Sequence, residues 1–146
     1  MPKKPSYEDA RLILKLYDLR REPEMRKARQ WWLTTFWPKD ADEYMKVGMA
    51  AGTPENNWLR QVLSYWGIVA MFVKNGILSE KLFLEPAFSG ELYFILAKVR
   101  ALLPELRERT KNPDMLRNVE DAVLGSKAGR AQYAKMEPRV LAMRPK

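Results

Sequence analysis

The stretch Asn56–Glu85, NNWLRQVLSYWGIVAMFVKNGILSEKLFLE, holds the longest nearly uninterrupted apolar run in the chain and its clearest helix punctuation. Thr53-Pro54 stands before it: a threonine hydroxyl caps free backbone N–H groups, and proline at the first helical position loses no hydrogen bond. Asn75-Gly76 stands near its end, where glycine takes the left-handed conformation that closes a helix. In between, Leu59, Val62, Leu63, Trp66, Val69, Ala70 and Val73 recur at helical spacing, with Trp58, Tyr65 and Phe72 widening the stripe. The spacing predicts a helix over about 54–75, apolar on most of its circumference and therefore surrounded by other helices. Tyr65 to Val73 carries no charge, yet this run falls well short of the roughly 20 residues needed to cross a bilayer.

The rest of the chain is organised around that helix. Ser6 with Asp9 three residues later resembles a capping box and opens a helix to about Arg21, whose buried face is expected to be Leu12, Leu16 and Leu19 with Ile13 and Tyr17 beside them. Pro23 restarts the chain as a helix to about Phe36, ending in the crowd of Trp31, Trp32, Phe36 and Trp37 before Pro38. Asp40 with Glu43 marks a short third helix, followed by a loose loop, Gly48 to Gly52. After the central helix come a one-to-two-turn helix behind Ser79, a long helix capped by Ser89 and kinked or ended at Pro104, a helix from Pro113 to Leu124, and a final helix behind Ser126. No segment alternates with period two, no Asn-Gly or Asp-Gly hairpin turn occurs, and no repeat or heptad is sustained. The expected class is all-α, a compact bundle of six to seven helices in one domain over 1–146, with short flexible ends at about 1–5 and 144–146.

Two segments resemble an uncharacterised family of bacterial all-helical domains of unknown function. They are Arg26-Lys27-Ala28-Arg29-x-Trp31 with the aromatic cluster that runs to Trp37, and Asn57-x-Leu59 continuing to Trp66-x-x-Val69-Ala70-x-x-Val73-Lys74-x-Gly76-Ile77-Leu78. The likeness spans residues 10 to 109 and implies the helical fold; it implies no catalytic residue. Some members are associated with a membrane-anchoring segment, and none is expected in this sequence.

Composition narrows function mainly by exclusion. At 146 residues the chain is long enough to bury about two thirds of its unfolded surface. It has no cysteine and no histidine, which removes disulfides, thiol nucleophiles, the commonest zinc sites, Ser-His-Asp triads and any imidazole base. No metal or cofactor is expected. The first residues, MPKKPSYEDA, have basic groups but no apolar stretch behind them, so a leader or integral membrane association is not expected and the cytoplasm is the expected location.

Net charge is +8 and the pI near 9.8, unevenly placed. Residues 1–39 carry 10 Lys/Arg against 5 Asp/Glu, 40–90 carry 4 against 6, and 91–146 carry 12 against 7. Basic ends around a mildly acidic centre suit a polyanion, but the cations are spread around their helices with acids between them, as on ordinary solvated faces. The paired carboxylates Glu105/Glu108 and Glu120/Asp121 lie in charged stretches beside arginines, where raised pKa values are not expected.

Three features invite a site. Gly125-Ser126-Lys127-Ala128-Gly129-Arg130 could hold a phosphate or carboxylate through Ser126, Lys127, Arg130 and backbone N–H groups at a helix start; it lacks the GxxxxGK[ST] spacing of a nucleotide loop, no strand precedes it, and the favoured reading is one helix end followed by one helix start with solvated basic residues. Adjacent Trp31 and Trp32 cannot both face one direction, so Trp31 and Trp37 are the candidates for a surface aromatic that anchors a partner; the simpler reading is a bulky core with one rim residue. Asn57, Arg60, Gln61, Ser64 and Gly67 form a polar strip on the central helix, which either packs tightly or lines a small polar cavity. The sequence therefore describes a non-catalytic domain acting through protein contact, including self-association. Weak nucleic-acid or polyanion binding through the basic terminal helices is the alternative.

Overall fold

The computed structural model describes residues 3–146, and among these every regular element is helical. The order is α1 (Tyr7–Leu19), α2 (Pro23–Gln30) continued by a π turn (Trp31–Thr35), α3 (Ala41–Gly48), α4 (Pro54–Lys74), α5 (Glu80–Phe83), α6 (Pro86–Val99), a 3-10 turn (Arg100–Leu102), α7 (Leu103–Arg109), α8 (Arg117–Leu124) and α9 (Lys127–Ala142). The 21-residue α4 is the axis of one half of the bundle, with α2 and α8 packed along it. The other half is built on α6, which packs against α9 and the π turn. Buried apolar side chains from α1 to α9 form one cluster.

Local punctuation works as expected where it is self-contained. Ser6 and Asp9 form the complete capping box of α1, Asp40 accepts from the Glu43 N–H, Thr53 from Asn56, and Ser126 from Gly129. Gly76 takes the left-handed conformation, φ 71°, just past α4. No helix among the described residues is long and apolar enough to cross a membrane.

Four expectations are corrected. Ser89 is not a cap but lies inside α6, which starts three residues earlier at Pro86; proline fits a first turn, and the Ser89 hydroxyl donates back to the Glu85 carbonyl at 3.2 Å. The helix expected from Pro113 starts only at Arg117. Asn112 accepts from Asp114 N–H at 3.1 Å, making a local turn, and Leu116 then sits in the left-handed region at φ 55°, which α-helix does not continue through. The helix from Pro23 loses its α geometry after Gln30: Phe36 N–H bonds to Trp31 O rather than Trp32 O, widening one turn. Finally, α1 turns differently from its expected face. It buries Asp9, Leu16 and, just past its end, Arg20, while Tyr17 and Leu19 are exposed.

Part of the N-terminal arm expected to be flexible, residues 1 and 2, lies outside the described residues. Lys3 is held: its Nζ donates to Asp9 Oδ1 at 2.8 Å and to the Ile77 carbonyl at 2.6 Å.

Candidate functional site

The surface around α1 is the part of the molecule with the most unused chemistry. α1 lies against the second half of α4 and is held by a polar anchor at each end. At its start, buried Asp9 accepts from Lys3 Nζ, from Ser6 N–H and Oγ, both at 2.9 Å, and from Ser79 N–H at 2.9 Å. Burial pushes the Asp9 pKa up, but these donors outweigh it and hold it at about 2. At its end, Arg20 is 5% exposed; Nε donates to Tyr65 Oη at 3.2 Å and Nη2 to the Phe88 carbonyl at 2.7 Å. Tyr65 Oη in turn donates to Leu16 O at 2.7 Å. The Arg20 guanidinium lies 4.8 Å from the Trp66 ring and 4.9 Å from Phe88, with Tyr17 and Tyr65 close by.

With those groups turned inward, an adjoining face of α1 presents Tyr7, Ala10, Leu14 and Tyr17, the last with its ring 5.0 Å from the Arg20 guanidinium. Their spacing of three, four and three residues puts them on one stripe. Tyr7 is 90% exposed and Leu14 70%. Ile68 and Met71 of α4 and Ile77 just beyond it are also exposed.

Where α1 ends, a cleft of about 350 Å³ opens between it, α2 and the first turns of α6, lined by Arg20, Arg29, Glu91 and the rings of Tyr17, Phe88 and Phe94. Arg29 Nε donates to Glu91 Oε2 at 2.6 Å, and Trp66 Nε1 donates to Glu91 Oε1 at 3.2 Å. A larger concavity, about 660 Å³, lies at the start of α4 between Glu24, Lys27, Asn57 and Arg60. Its polar groups are largely engaged: Lys27 pairs with Glu24 at 3.0 Å, and Asn56 Nδ2 donates to the carbonyls of Val47 and Gly48. Of the polar strip of α4, Asn57 and Arg60 line this open concavity, Ser64 is exposed, and Gln61 Oε1 is buried without a hydrogen-bond partner.

The residues singled out by sequence fare unevenly. Ser126 accepts from Gly129 N–H at 3.0 Å, and Arg130 Nη1 donates to the Leu124 carbonyl at 3.0 Å, so both serve the junction of α8 and α9, while Lys127 and Arg130 are exposed to solvent. Gly129 is needed there because a Cβ would come within 1.9 Å of the Val123 carbonyl oxygen. Trp31 is 8% exposed, stacked on Phe36 at 4.5 Å and edge-on to Trp32, so it is no surface anchor. The two tryptophans do face different directions, their rings 79° apart, yet both are buried, with the Trp58 ring 6.2 Å from Trp31. Trp37 is half-buried against Phe94.

Beneath Trp37 is a group that sequence reasoning passed over. Lys98 is 2% exposed, its Nζ 4.2 Å from the Trp37 ring and 5.1 Å from Phe94. It donates to the Trp32 carbonyl, the acceptor that the π turn deprives of its helical partner. Burial, and secondarily the positive charge of Arg144, lower its pKa to about 7. A lysine with such a pKa is a nucleophile only where a substrate can reach it. Here aromatic rings seal it. The signal for both buried cations was present: Lys98 interrupts the otherwise apolar run from Leu92 to Val99, and Arg20 sits one turn after Leu16.

These elements define the class as an all-helical domain of two packed halves, with a loosely attached first helix. A family model described as a domain of unknown function, DUF4760, matches residues 5–125, and the chain belongs to that family. The match covers α1 to α8 and leaves α9 outside. No curated protein and no solved structure matches the chain.

Proposed function

We propose that this is a non-catalytic cytoplasmic domain that works through protein contact, in the first place with a second copy of itself, and that the outer face of α1 is the contact surface. The observation that carries this reading is the stripe Tyr7, Ala10, Leu14 and Tyr17, with Tyr7 and Leu14 among the most exposed large apolar side chains described. Side chains of this kind on one helix face favour burial against another surface. The rim is self-complementary. Two α1 helices crossing antiparallel at Leu14 would bring Asp18 of each near Arg11 of the other, as a two-fold interface requires. Trp31, one of the two tryptophans that are candidates for this role by sequence, is buried, and the exposed stripe of α1 is the better surface.

Absence of catalysis is supported by the lack of histidine and cysteine and by the sealing of Lys98, the titratable amine with the most altered pKa. Polyanion binding is the weaker reading, since Ser126 and Arg130 already serve the α8–α9 junction.

The test is solution mass by light scattering at low salt and at about 0.5 M salt, a concentration that screens surface charges beyond a few ångströms, with bound nucleic acid read from the absorbance ratio. A dimer is expected at both salts, and L14E should convert it to a monomer with unchanged circular dichroism. A wild-type monomer at both salts overturns the proposal, and nucleic acid released by salt favours the alternative.

A further inference from the structure

We propose that the cleft between the end of α1, α2 and the first turns of α6 is a binding site for a carboxylate carried on an apolar body. This does not rest on the docking role of α1. The starting point is a charge imbalance. Glu91 is nearly buried, its side chain 5% exposed, and both its oxygens are taken, one by Arg29 and one by the Trp66 indole. Arg29 therefore matches Glu91, and Arg20 is left over: a 95%-buried guanidinium whose acceptors, Tyr65 Oη and the Phe88 carbonyl, are both neutral.

A buried cation without a counter-ion is costly, and rings and dipoles offset that cost only in part. Both arginines line the same cleft, so one unmatched positive charge faces it. Each guanidinium carries five N–H donors. Arg20 uses donors on Nε and Nη2, and Arg29 uses Nε, which leaves donors on both forks for a bidentate acceptor. Pro86 and Ala87 of the first turn of α6 also line the cleft.

The charge count selects the ligand. One excess positive charge matches a monoanion, whereas the second charge of a phosphate would face the Glu91 carboxylate in the same wall. The volume, about 350 Å³, suits a small ligand. Tyr17, Phe88 and Phe94 supply an apolar lining, so the body behind the carboxylate is an alkyl chain or a ring.

The experiment is titration of the full chain with benzoate, hexanoate, inorganic phosphate and the diamide of glutamate, N-acetylglutamate amide, followed by calorimetry and by tryptophan fluorescence, since Trp66 bonds directly to the Glu91 wall. Benzoate or hexanoate is expected to saturate. Phosphate and the glutamate diamide, which stands for an acidic side chain of a protein, should bind at least about tenfold more weakly. R29Q should weaken carboxylate binding about tenfold, and E91Q should strengthen it several-fold and admit phosphate. The proposal is overturned if neither carboxylate saturates, or if the glutamate diamide binds as well as hexanoate. It is equally overturned if E91Q, folded by circular dichroism, binds no more tightly than wild type; that outcome decides the matter even if R29Q fails to fold.

Discussion

α1 and α6 are of similar length, 13 and 14 residues, and are attached to the molecule in opposite ways. α6 is gripped by apolar packing: nine of its residues are buried, on every side of the helix. α1 fully buries only Asp9 and Leu16 within its length, packs Leu12 and Ile13 partly against the core, and takes much of its hold from hydrogen bonds at its two ends through Asp9 and Arg20. Apolar burial is not directional and scales with area, so α6 gains from many contacts at once. Hydrogen bonds are directional and few, so α1 is located accurately but held lightly. A helix held in that manner keeps its outer face available.

The largest effect that tests this contrast is Leu92→Ala in α6. Leu92 is fully buried, and deletion should cost about 2–5 kcal/mol in urea denaturation. A loss below about 1 kcal/mol would mean that α6 is not the packed core of its half. Next, Asp9→Ala strips the Ser79 and Ser6 N–H groups of their acceptor and should cost about 1–3 kcal/mol. Hydrogen exchange should then accelerate across α1 ahead of α6; uniform acceleration would show that α1 is not a separate layer.

Lys98 carries a pH signature. The unfolded chain keeps the lysine proton up to the ordinary value of 10.5, while in the fold burial lowers the pKa to about 7. Between these values the unfolded state binds more protons, so stability should rise as pH goes from 7 towards 10.5. K98M should flatten that rise, and an unchanged slope in K98M would place its origin elsewhere. Asp9 works with the same sign at the acid end, since its pKa is also lower in the fold than in the unfolded chain. Its contribution is complete above 3.8 and is lost as pH falls through about 2, so acid unfolding should begin at α1 and shift to higher pH in K3A, which removes one of the donors holding that pKa down. The smallest effect is Leu14→Ala, expected to change monomer stability by no more than about 0.5 kcal/mol, because the side chain is already in water.

Much of the scaffold was legible in the sequence because its signals are local. Thr53-Pro54, Ser6 with Asp9, Asp40 with Glu43, and Ser126 each satisfy backbone groups within four residues, so their geometry does not wait on the fold. The failures have one cause as well. Asn112-Pro113 carries the same cap signature, but the asparagine closes a turn, and the choice is made at Leu116, where the chain enters the left-handed region on its way to α8. Of the candidate site, Ser126, Lys127, Arg130, Trp31 and Trp37 were readable as residue types, whereas their surroundings were not. Arg20, Arg29 and Glu91 belong to three different helices and meet only once those helices pack.

By itself, then, the sequence determined that the chain is all-helical, that residues 54–74 form its long apolar helix, and that histidine and cysteine chemistry is excluded. Periodicity and caps suffice for this, since they act within a turn or two. Tertiary structure alone decided which face of α1 turned inward, why Lys98 and Arg20 could be buried without acids, and where a cleft would open. A helical repeat says which side chains share a face, but it is the neighbouring helices, with their rings and free carbonyls, that make one face the inside.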